Sequence, residues 1–302
     1  MDFLLKNYEY IMSKRDPRAD SWMLMDSPFP TVLIVLVYLV AIYQGPKLMH
    51  LQNPLNLKNL IVVYNFGLVL LSVYMVFEFI MSSWTVHNFS LICEPVDYSN
   101  DESSLRLLKV VWWYYFSKII ELLDTIFFVL RKKNNQITFL HVFHHSTMPL
   151  LWWMCTRFVG GGEAYFSATL NSVIHILMYT YYMLSAMGPA MQPYLWWKKY
   201  MTTLQLVQFG FVLSKTVCVI YLSCGYPVGH AYILVAYMLI LIVLFSNFYY
   251  QTYRKAPKRS KGEQLAFTDG KKNHSIGNGH VNGASVLASD KKLQPRKIRR
   301  FD

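Results

Sequence analysis

Charged residues are scarce in this chain. Only 15% of its 302 residues are charged, whereas 54% are hydrophobic. Soluble globular domains carry about 25% charged residues. The apolar residues also come in runs of about 20, which matches the hydrocarbon thickness of a bilayer. The scarcity of charge therefore argues against a soluble protein and indicates an integral membrane protein.

Acidic residues are scarcer than basic ones. The chain has 17 Asp and Glu against 29 Lys and Arg, and its net charge at pH 7 is +12. Most of the excess lies in residues 251–302, which hold 13 Lys or Arg and 4 Asp or Glu. Such a tail is solvated or lies along anionic lipid, so the basic charge does not indicate a nucleic-acid partner. We predict that residues 251–302 form a basic, disordered tail.

Alternating apolar patterns of the membrane β-barrel type are absent, and so are internal repeats. Seven apolar stretches with short connections predict an all-α integral membrane protein, a single seven-transmembrane-helix bundle over residues 29–250, preceded by segment 1–28. The stretches are 29–49, 60–84, 108–130, 138–158, 165–187, 200–222 and 231–250.

Lys and Arg concentrate in alternate loops, which orients the bundle. Cytosolic loops of membrane proteins are enriched in these residues, and here the loops after spans one, three and five are the richer set. We therefore predict a cytosolic C-terminal tail and an N-terminal segment on the opposite side. The basic residues in this set are Lys58, Arg131, Lys132, Lys133, Lys198 and Lys199.

Two of the four cysteines, Cys93 and Cys224, fall in loops on the non-cytosolic side. That side permits disulfides, so we predict a Cys93–Cys224 bridge, with two free thiols as the alternative. The sequence Asn88-Phe89-Ser90 on the same side matches an N-glycosylation acceptor. Because it lies close to the membrane, its use is left open.

Ionisable side chains inside membrane spans are costly, so each is a candidate functional residue. Span three contains Lys118, Glu121, Asp124 and Thr125. At 100° per residue, Lys118, Glu121 and Thr125 share one helix face, and Asp124 lies at its edge. Lys118 and Glu121 can pair, either as a structural ion pair or with a direct chemical role.

The next three spans add polar groups to this set. In span four, His141, His144 and His145 share one helix face near the predicted cytosolic end. Span five contributes Asn171, His175, Met178 and Tyr182, with Tyr179 beside them, and span six contributes Gln205 and Gln208.

Two kinds of chemistry fit four membrane histidines beside acids. Imidazoles ligate iron or zinc, but a di-iron site normally needs more ligands, and His50, His87 and His230 are isolated near the span ends. Alternatively, a neutral imidazole attacks an acyl thioester while another acts as a base, and Asn, Gln and Tyr groups stabilise the developing oxyanion or enolate. The residue set favours this nucleophilic and basic chemistry over metal ligation.

Four ordered motifs on four spans resemble the signatures of the very-long-chain fatty acid elongases of animals. The resemblance covers about residues 10–255. The motifs are Lys118-Ile-Ile-Glu121-Leu-Leu-Asp124-Thr125, His141-Val-Phe-His144-His145, Asn171-Ser-Val-Ile-His175-Ile-Leu-Met178-Tyr179-Thr-Tyr181-Tyr182 and Thr202-Thr-Leu-Gln205-Leu-Val-Gln208.

The resemblance implies a seven-span protein of the endoplasmic reticulum membrane, with a lumenal N-terminus, a cytosolic C-terminus and a lumenal disulfide at Cys93 and Cys224. It implies a 3-oxoacyl-CoA synthase that condenses acyl-CoA with malonyl-CoA to 3-oxoacyl-CoA, carbon dioxide and CoA, without a metal or redox cofactor. The 3-oxoacyl-CoA reductase, 3-hydroxyacyl-CoA dehydratase and enoyl-CoA reductase would be separate membrane partners. Association into homo- or hetero-oligomers is left open.

By the same resemblance, His144 carries the acyl group and His141 and His145 orient it or move protons, while His175 and Asn171 assist decarboxylation. Lys118, Glu121, Asp124, Thr125, Tyr179, Tyr182, Gln205 and Gln208 support that cluster. Arg131, Lys132, Lys133, Lys198 and Lys199 are candidates to bind CoA phosphates, although cytosolic charge bias explains them equally well.

Two other classes of protein share some of these features. A metal-dependent membrane oxidase or desaturase would also use membrane histidines, and stoichiometric iron or zinc in the purified protein would identify it. A seven-span receptor shares the span count and orientation, but it has no need of a histidine cluster beside a Lys/Glu/Asp helix.

Overall fold

The computed structural model describes residues 2–84, 89–223 and 225–255, and within these ranges the regular structure is helical, without a strand. The all-helical prediction is therefore confirmed for this part of the chain. The α-helices there are α1 (Asp2–Met12), α2 (Phe29–Leu48), α3 (Lys58–Trp84), α4 (Glu102–Ile120), α5 (Leu123–Leu130), α6 (Phe139–Val159), α7 (Ala164–Met187), α8 (Lys198–Leu222) and α9 (Val228–Tyr249).

Four of the described helical segments are long and apolar enough to cross a membrane. They are Phe29–Leu51, Lys58–Trp84, Lys198–Leu222 and Val228–Arg254, with mean hydropathies of 1.8, 2.3, 1.5 and 2.4. These segments correspond to predicted spans one, two, six and seven. Most of their residues are not buried within the protein, as expected of surfaces that face lipid. The chain is a multi-pass membrane protein built from helices.

The segments predicted as spans three, four and five correspond to α4–α5, α6 and α7. They do not meet the same standard of length and apolarity, because they carry most of the ionisable and amide side chains singled out above. Six helices contact one another in a closed order, α3, α4, α6, α9, α8, α7 and back to α3, and α2 packs outside them against α5 and α6. The polar helices α4, α6 and α7 thereby share an interior.

The continuous third span predicted over 108–130 is wrong in one respect, because the helix breaks at Glu121 and Leu122. Ser117 Oγ donates to the Tyr114 carbonyl over 2.7 Å, and the chain then tightens through bonds from Leu122 N to Ile119 O and from Asp124 N to Glu121 O. Hydroxyl groups that bond into the helix ladder bend helices. The break therefore falls at the buried carboxylate itself.

The turn between α6 and α7 requires a glycine. Gly162 has φ of +50°, and a Cβ atom there would lie 2.8 Å from the Glu94 carbonyl oxygen. A left-handed conformation costs other residues about 1–2 kcal/mol, and the clash adds to that cost. We expect Gly162→Ala to lower the thermal unfolding midpoint in detergent.

Gly67→Ala is the matched control for this prediction. Gly67 lies within α3, and a Cβ atom added there meets nothing within 4 Å. Alanine is favoured over glycine inside a helix by about 1 kcal/mol, so the midpoint of this variant should stay the same or rise. An equal fall of the unfolding midpoint in both variants would contradict the strain that we assign to a side chain at position 162.

Candidate active site

Two opposite charges are buried together at the end of α4. Lys118 Nζ lies 2.8 Å from Glu121 Oε1, and the two side chains are only 1% and 3% exposed. Ser117 Oγ lies 3.3 Å from the same carboxylate oxygen. Burying either charge without a partner would cost several kcal/mol, so each residue makes the burial of the other tolerable.

Helix α7 adds an imidazole and an amide to this pair. His175 Nδ1 lies 3.3 Å from Glu121 Oε1 and 3.5 Å from Lys118 Nζ. Asn171 Oδ1 lies 3.3 Å from Lys118 Nζ and accepts a hydrogen bond from the Tyr114 hydroxyl. Because the ion pair engages Nδ1 of His175, the other ring nitrogen, Nε2, is left for a different partner.

Asp124 and Thr125, which follow the helix break, have their own partners. Asp124 Oδ2 accepts a hydrogen bond of 3.1 Å from the Tyr179 hydroxyl. Thr125 Oγ1 lies 2.9 Å from Tyr38 OH on α2 and 2.8 Å from His141 Nε2. Thr125 therefore bonds to α2 and α6, whereas the Lys118–Glu121 pair contacts His175 and Asn171 of α7.

The three histidines of α6 form a row along the helix. The His141 and His145 ring centroids lie 4.2 Å apart, and those of His144 and His145 lie 5.3 Å apart. His141 is anchored to Thr125, whereas His144 contributes to the wall of an internal cavity. Of these three imidazoles, His144 is therefore the one that a molecule in the cavity would touch.

This cavity lies between α4, α6, α7, α8 and α9. Most of the wall is apolar or aromatic, and polar groups enter it at Tyr114, His144, Ser167, Asn171, Gln208, Tyr226, His230 and Tyr237. The buried Lys118–Asn171–His175 cluster therefore meets the cavity through Asn171.

The remaining predicted site residues lie further out. Gln205 Nε2 donates weakly to the Met178 sulfur at 3.8 Å, and Tyr182 is 40% exposed. Among the basic residues, Lys132 Nζ donates to the His50 carbonyl over 3.0 Å. Arg131 and Lys132 are half-buried, whereas Lys133, Lys198 and Lys199 are exposed.

Three residues of the site were not selected from the sequence. Tyr114 lies four positions before Lys118 and so on the same face of α4, a spacing that could have revealed it. Tyr237 OH lies 2.8 Å from Thr147 Oγ1 on α6, and His230 lies in the cavity wall. The last two come from a span whose pattern is almost wholly apolar, so no local signal marks them.

A second buried polar network joins the N-terminal segment to α4 and α6. Asp16 pairs with Arg18 at 2.7 Å, with exposures of 0% and 7%. Arg157 is 1% exposed, donates to the Asp16 carbonyl over 3.0 Å and pairs with Asp20. Burial disfavours the Asp20 carboxylate, but its hydrogen bonds from Arg15 and Arg157 prevail and lower the pKa of that carboxyl.

The cysteines divide into two kinds. Cys93 is disulfide-bonded, whereas Cys155 and Cys218 are free thiols. The predicted partner, Cys224, and the predicted glycosylation site, Asn88, lie outside the described residues, as does most of the predicted tail, from residue 256 onward.

Metal ligation was the alternative use of the histidines. In residues 2–84, 89–223 and 225–255, no group of three or more His, Cys, Asp or Glu side chains is arranged to hold a metal ion. His141 lies within hydrogen-bond distance of Thr125, and His175 contacts Glu121 and Lys118.

The fold and the site define a multi-pass helical membrane protein with a buried, histidine-rich polar cluster beside an internal cavity. The chain belongs to the GNS1/SUR4 (ELO) family, whose model matches residues 23–261. It is 46% identical to very long chain fatty acid elongase 5 of Tachysurus fulvidraco, over 97% of both chains. It is also 46% identical to human very long chain fatty acid elongase 4, over 86% of this chain and 82% of the relative. It is 43% identical to human very long chain fatty acid elongase 5, over 97% of this chain and 96% of the relative. The family resemblance inferred from the motifs is confirmed.

Proposed function

We propose that this protein catalyses the condensation step of very-long-chain fatty acid elongation, as a 3-oxoacyl-CoA synthase. The observation that carries the proposal is the juxtaposition of a cavity imidazole, His144, with the buried cluster of Lys118, Glu121, Asn171 and His175. The names of the relatives, very long chain fatty acid elongases 4 and 5, support elongation as the overall process.

In the first half-reaction, His144 attacks the carbonyl carbon of the acyl thioester. The C–S bond breaks, an acyl-imidazole forms, and the CoA thiolate leaves with the proton lost from the imidazole. His141 and His145 orient His144 or move that proton. Nucleophilic catalysis of this kind divides one difficult displacement into two easier ones.

In the second half-reaction, malonyl-CoA loses carbon dioxide, and the resulting enolate carbon attacks the acyl-imidazole. A C–C bond forms, the imidazole leaves and takes up one proton delivered by His141 or His145, and 3-oxoacyl-CoA is released. Donors preorganised at the enolate oxygen stabilise the charge that develops there, a role we give to Asn171, His175 and the glutamines Gln205 and Gln208. This scheme balances without a metal or redox cofactor.

The membrane arrangement we propose has seven spans, with α4–α5, α6 and α7 as spans three to five. The N-terminus would be lumenal and the C-terminus cytosolic in the endoplasmic reticulum membrane. The cavity would hold the acyl chain as a tunnel, and the basic loops would meet CoA phosphates at its cytosolic mouth. The reductases and the dehydratase of the elongation cycle would act on the product as separate partners.

The test uses purified protein and hexadecanoyl-CoA with malonyl-CoA withheld. Intact mass should show an acyl adduct in the wild type and none in His144→Ala. His50→Ala is the matched control, because His50 lies beyond the end of α2 and outside the cavity wall, and its adduct should equal that of the wild type.

Release of CoA that depends on His144, without a surviving adduct, would also support the proposal, since an acyl-imidazole can hydrolyse. If neither adduct nor CoA appears until malonyl-CoA is added, the acyl-imidazole is excluded. Condensation would then be direct, with the histidines as bases. If no 3-oxoacyl-CoA forms from any acyl-CoA and malonyl-CoA, the condensation function itself fails.

A further inference from the structure

One polar atom in the cavity wall has no role in the chemistry proposed above. His230 lies in the first turn of α9 and in the wall of the cavity. Its Nε2 atom is buried and has no hydrogen-bond partner among the described residues. Buried polar groups nearly always have a partner, so this atom points to a ligand group.

The position of His230 along the cavity follows from the packing of α6 against α9. The Thr147 and Tyr237 hydroxyls lie 2.8 Å apart, and the rings of Phe158 and His230 lie 6.4 Å apart. The two helices therefore run antiparallel, and His230 lies beside the far end of α6. Phe158 follows His144 by fourteen residues, which corresponds to about 21 Å of helix rise.

The wall between these two imidazoles is largely apolar. Helix α6 contributes Met148, Leu151 and Cys155, and α9 contributes Ile233 and Leu234. An alkyl chain fits such a wall well, but an alkyl end that reached Nε2 would leave this nitrogen unpaired. Leaving a buried polar group unpaired is costly.

A hydroxyl group is the ligand chemistry that suits this nitrogen best. A neutral imidazole nitrogen is a donor in one tautomer and an acceptor in the other. A hydroxyl can accept from the first and donate to the second, whereas an ether or carbonyl oxygen can only accept. A terminal carboxylate would in addition bring an unpaired charge to a wall whose lining residues include no Lys or Arg.

We propose that His230 forms a terminal subsite that binds a hydroxyl group at the far end of the acyl chain. The inference rests on the proposed function, because it places the acyl carbonyl at His144. An extended chain advances about 1.2 Å per bond, so a chain of about 16–18 carbons spans the 21 Å. The ligand class is an ω-hydroxy acyl chain of that length.

The test compares two substrate pairs with purified full-length protein and malonyl-CoA. The long pair is 16-hydroxyhexadecanoyl-CoA and hexadecanoyl-CoA, and the short pair is 12-hydroxydodecanoyl-CoA and dodecanoyl-CoA. For the long pair, the ratio of kcat/KM, hydroxylated over plain, should fall about five- to tenfold from wild type to His230→Phe, which is the loss of one hydrogen bond. The ratio for the short pair should not change, because a shorter chain does not reach His230.

Tyr232→Phe is the matched control, since it removes a hydroxyl from an exposed ring two residues further along α9 and should leave both ratios unchanged. If His230→Phe does not fold, the wild type alone decides, because its preference for the hydroxyl must be greater in the long pair than in the short. Equal ratios for the two pairs in the wild type, or no change for the long pair in His230→Phe, would overturn the subsite.

A binding measurement separates this inference from the proposed function. Thermal stabilisation of wild type and His230→Phe by the four acyl-CoA molecules, without malonyl-CoA, reports the hydroxyl preference independently of turnover. A length-dependent preference in binding without any condensation product would retain the subsite and reject the condensation function. Condensation without a length-dependent preference for the hydroxyl would retain the condensation function and reject the subsite.

Discussion

Glu121→Gln is expected to reduce condensation about 10³- to 10⁴-fold, the scale seen when a carboxylate that orients a catalytic histidine is lost. The amide keeps the shape of the side chain but removes the charge that faces Lys118 Nζ at 2.8 Å and His175 Nδ1 at 3.3 Å. We expect kcat to fall while KM for the acyl-CoA stays nearly constant, because Glu121 does not line the cavity. Steady-state kinetics with hexadecanoyl-CoA and malonyl-CoA provide the measurement.

The same substitution leaves Lys118 buried without its counter-ion, at a cost of about 3–5 kcal/mol in the free energy of unfolding. Loss of activity could then reflect instability alone. The double variant Lys118→Met/Glu121→Gln separates the two effects, since removing both buried charges restores most of the stability. We expect its unfolding midpoint to recover and its kcat to remain low. If the double variant regained both its unfolding midpoint and its kcat, the Lys118–Glu121 pair would have only a structural role.

Arg157→Met is expected to lower the free energy of unfolding by about 1–3 kcal/mol, the cost of leaving a buried hydrogen-bond acceptor without its donor. Arg157 is 1% exposed and connects α6 to the N-terminal segment through the Asp16 carbonyl and the Asp20 carboxylate. Methionine fills much of the volume but offers no donor, so the Asp16 carbonyl loses this hydrogen bond. Denaturant titration in detergent, followed by tryptophan fluorescence, measures the change.

Arg15→Met is the matched control, because Arg15 pairs with the same Asp20 at the surface, with side-chain exposures of 39% and 40%. Exposed pairs contribute about 0–1 kcal/mol, so this variant should stay close to the wild type. If the two variants lost equal stability, the shared ion pair to Asp20 would account for both effects, and burial of Arg157 would not.

Sequence patterns predicted the features that depend on neighbours along one helix. Apolar length located the four most hydrophobic membrane segments, since the bilayer fixes the length of a span. Helical spacing located Lys118 and Glu121 on one face, and they pair at 2.8 Å. The same spacing did not predict the helix break at Glu121 and Leu122, because the break depends on hydrogen bonds that the periodicity does not express.

Contacts between segments that are distant in the sequence could not be predicted from the sequence pattern. Arg157 near the end of α6 is buried against Asp16, 141 positions earlier in the chain. His230 looked isolated, yet it lies in the same cavity wall as His144. In each case the partner belongs to another helix, and its position is set by packing.

The sequence by itself determined that this is a helical membrane protein, that it belongs to the elongase family, and which helices carry its ionisable groups. These properties follow from local composition, from period and from ordered motifs. Only the tertiary structure decided which of those groups meet. His175 joins Lys118 and Glu121, His141 joins Thr125, and His144 faces the cavity. The reason is physical, because a buried polar group must find its partner wherever packing brings one within hydrogen-bond distance.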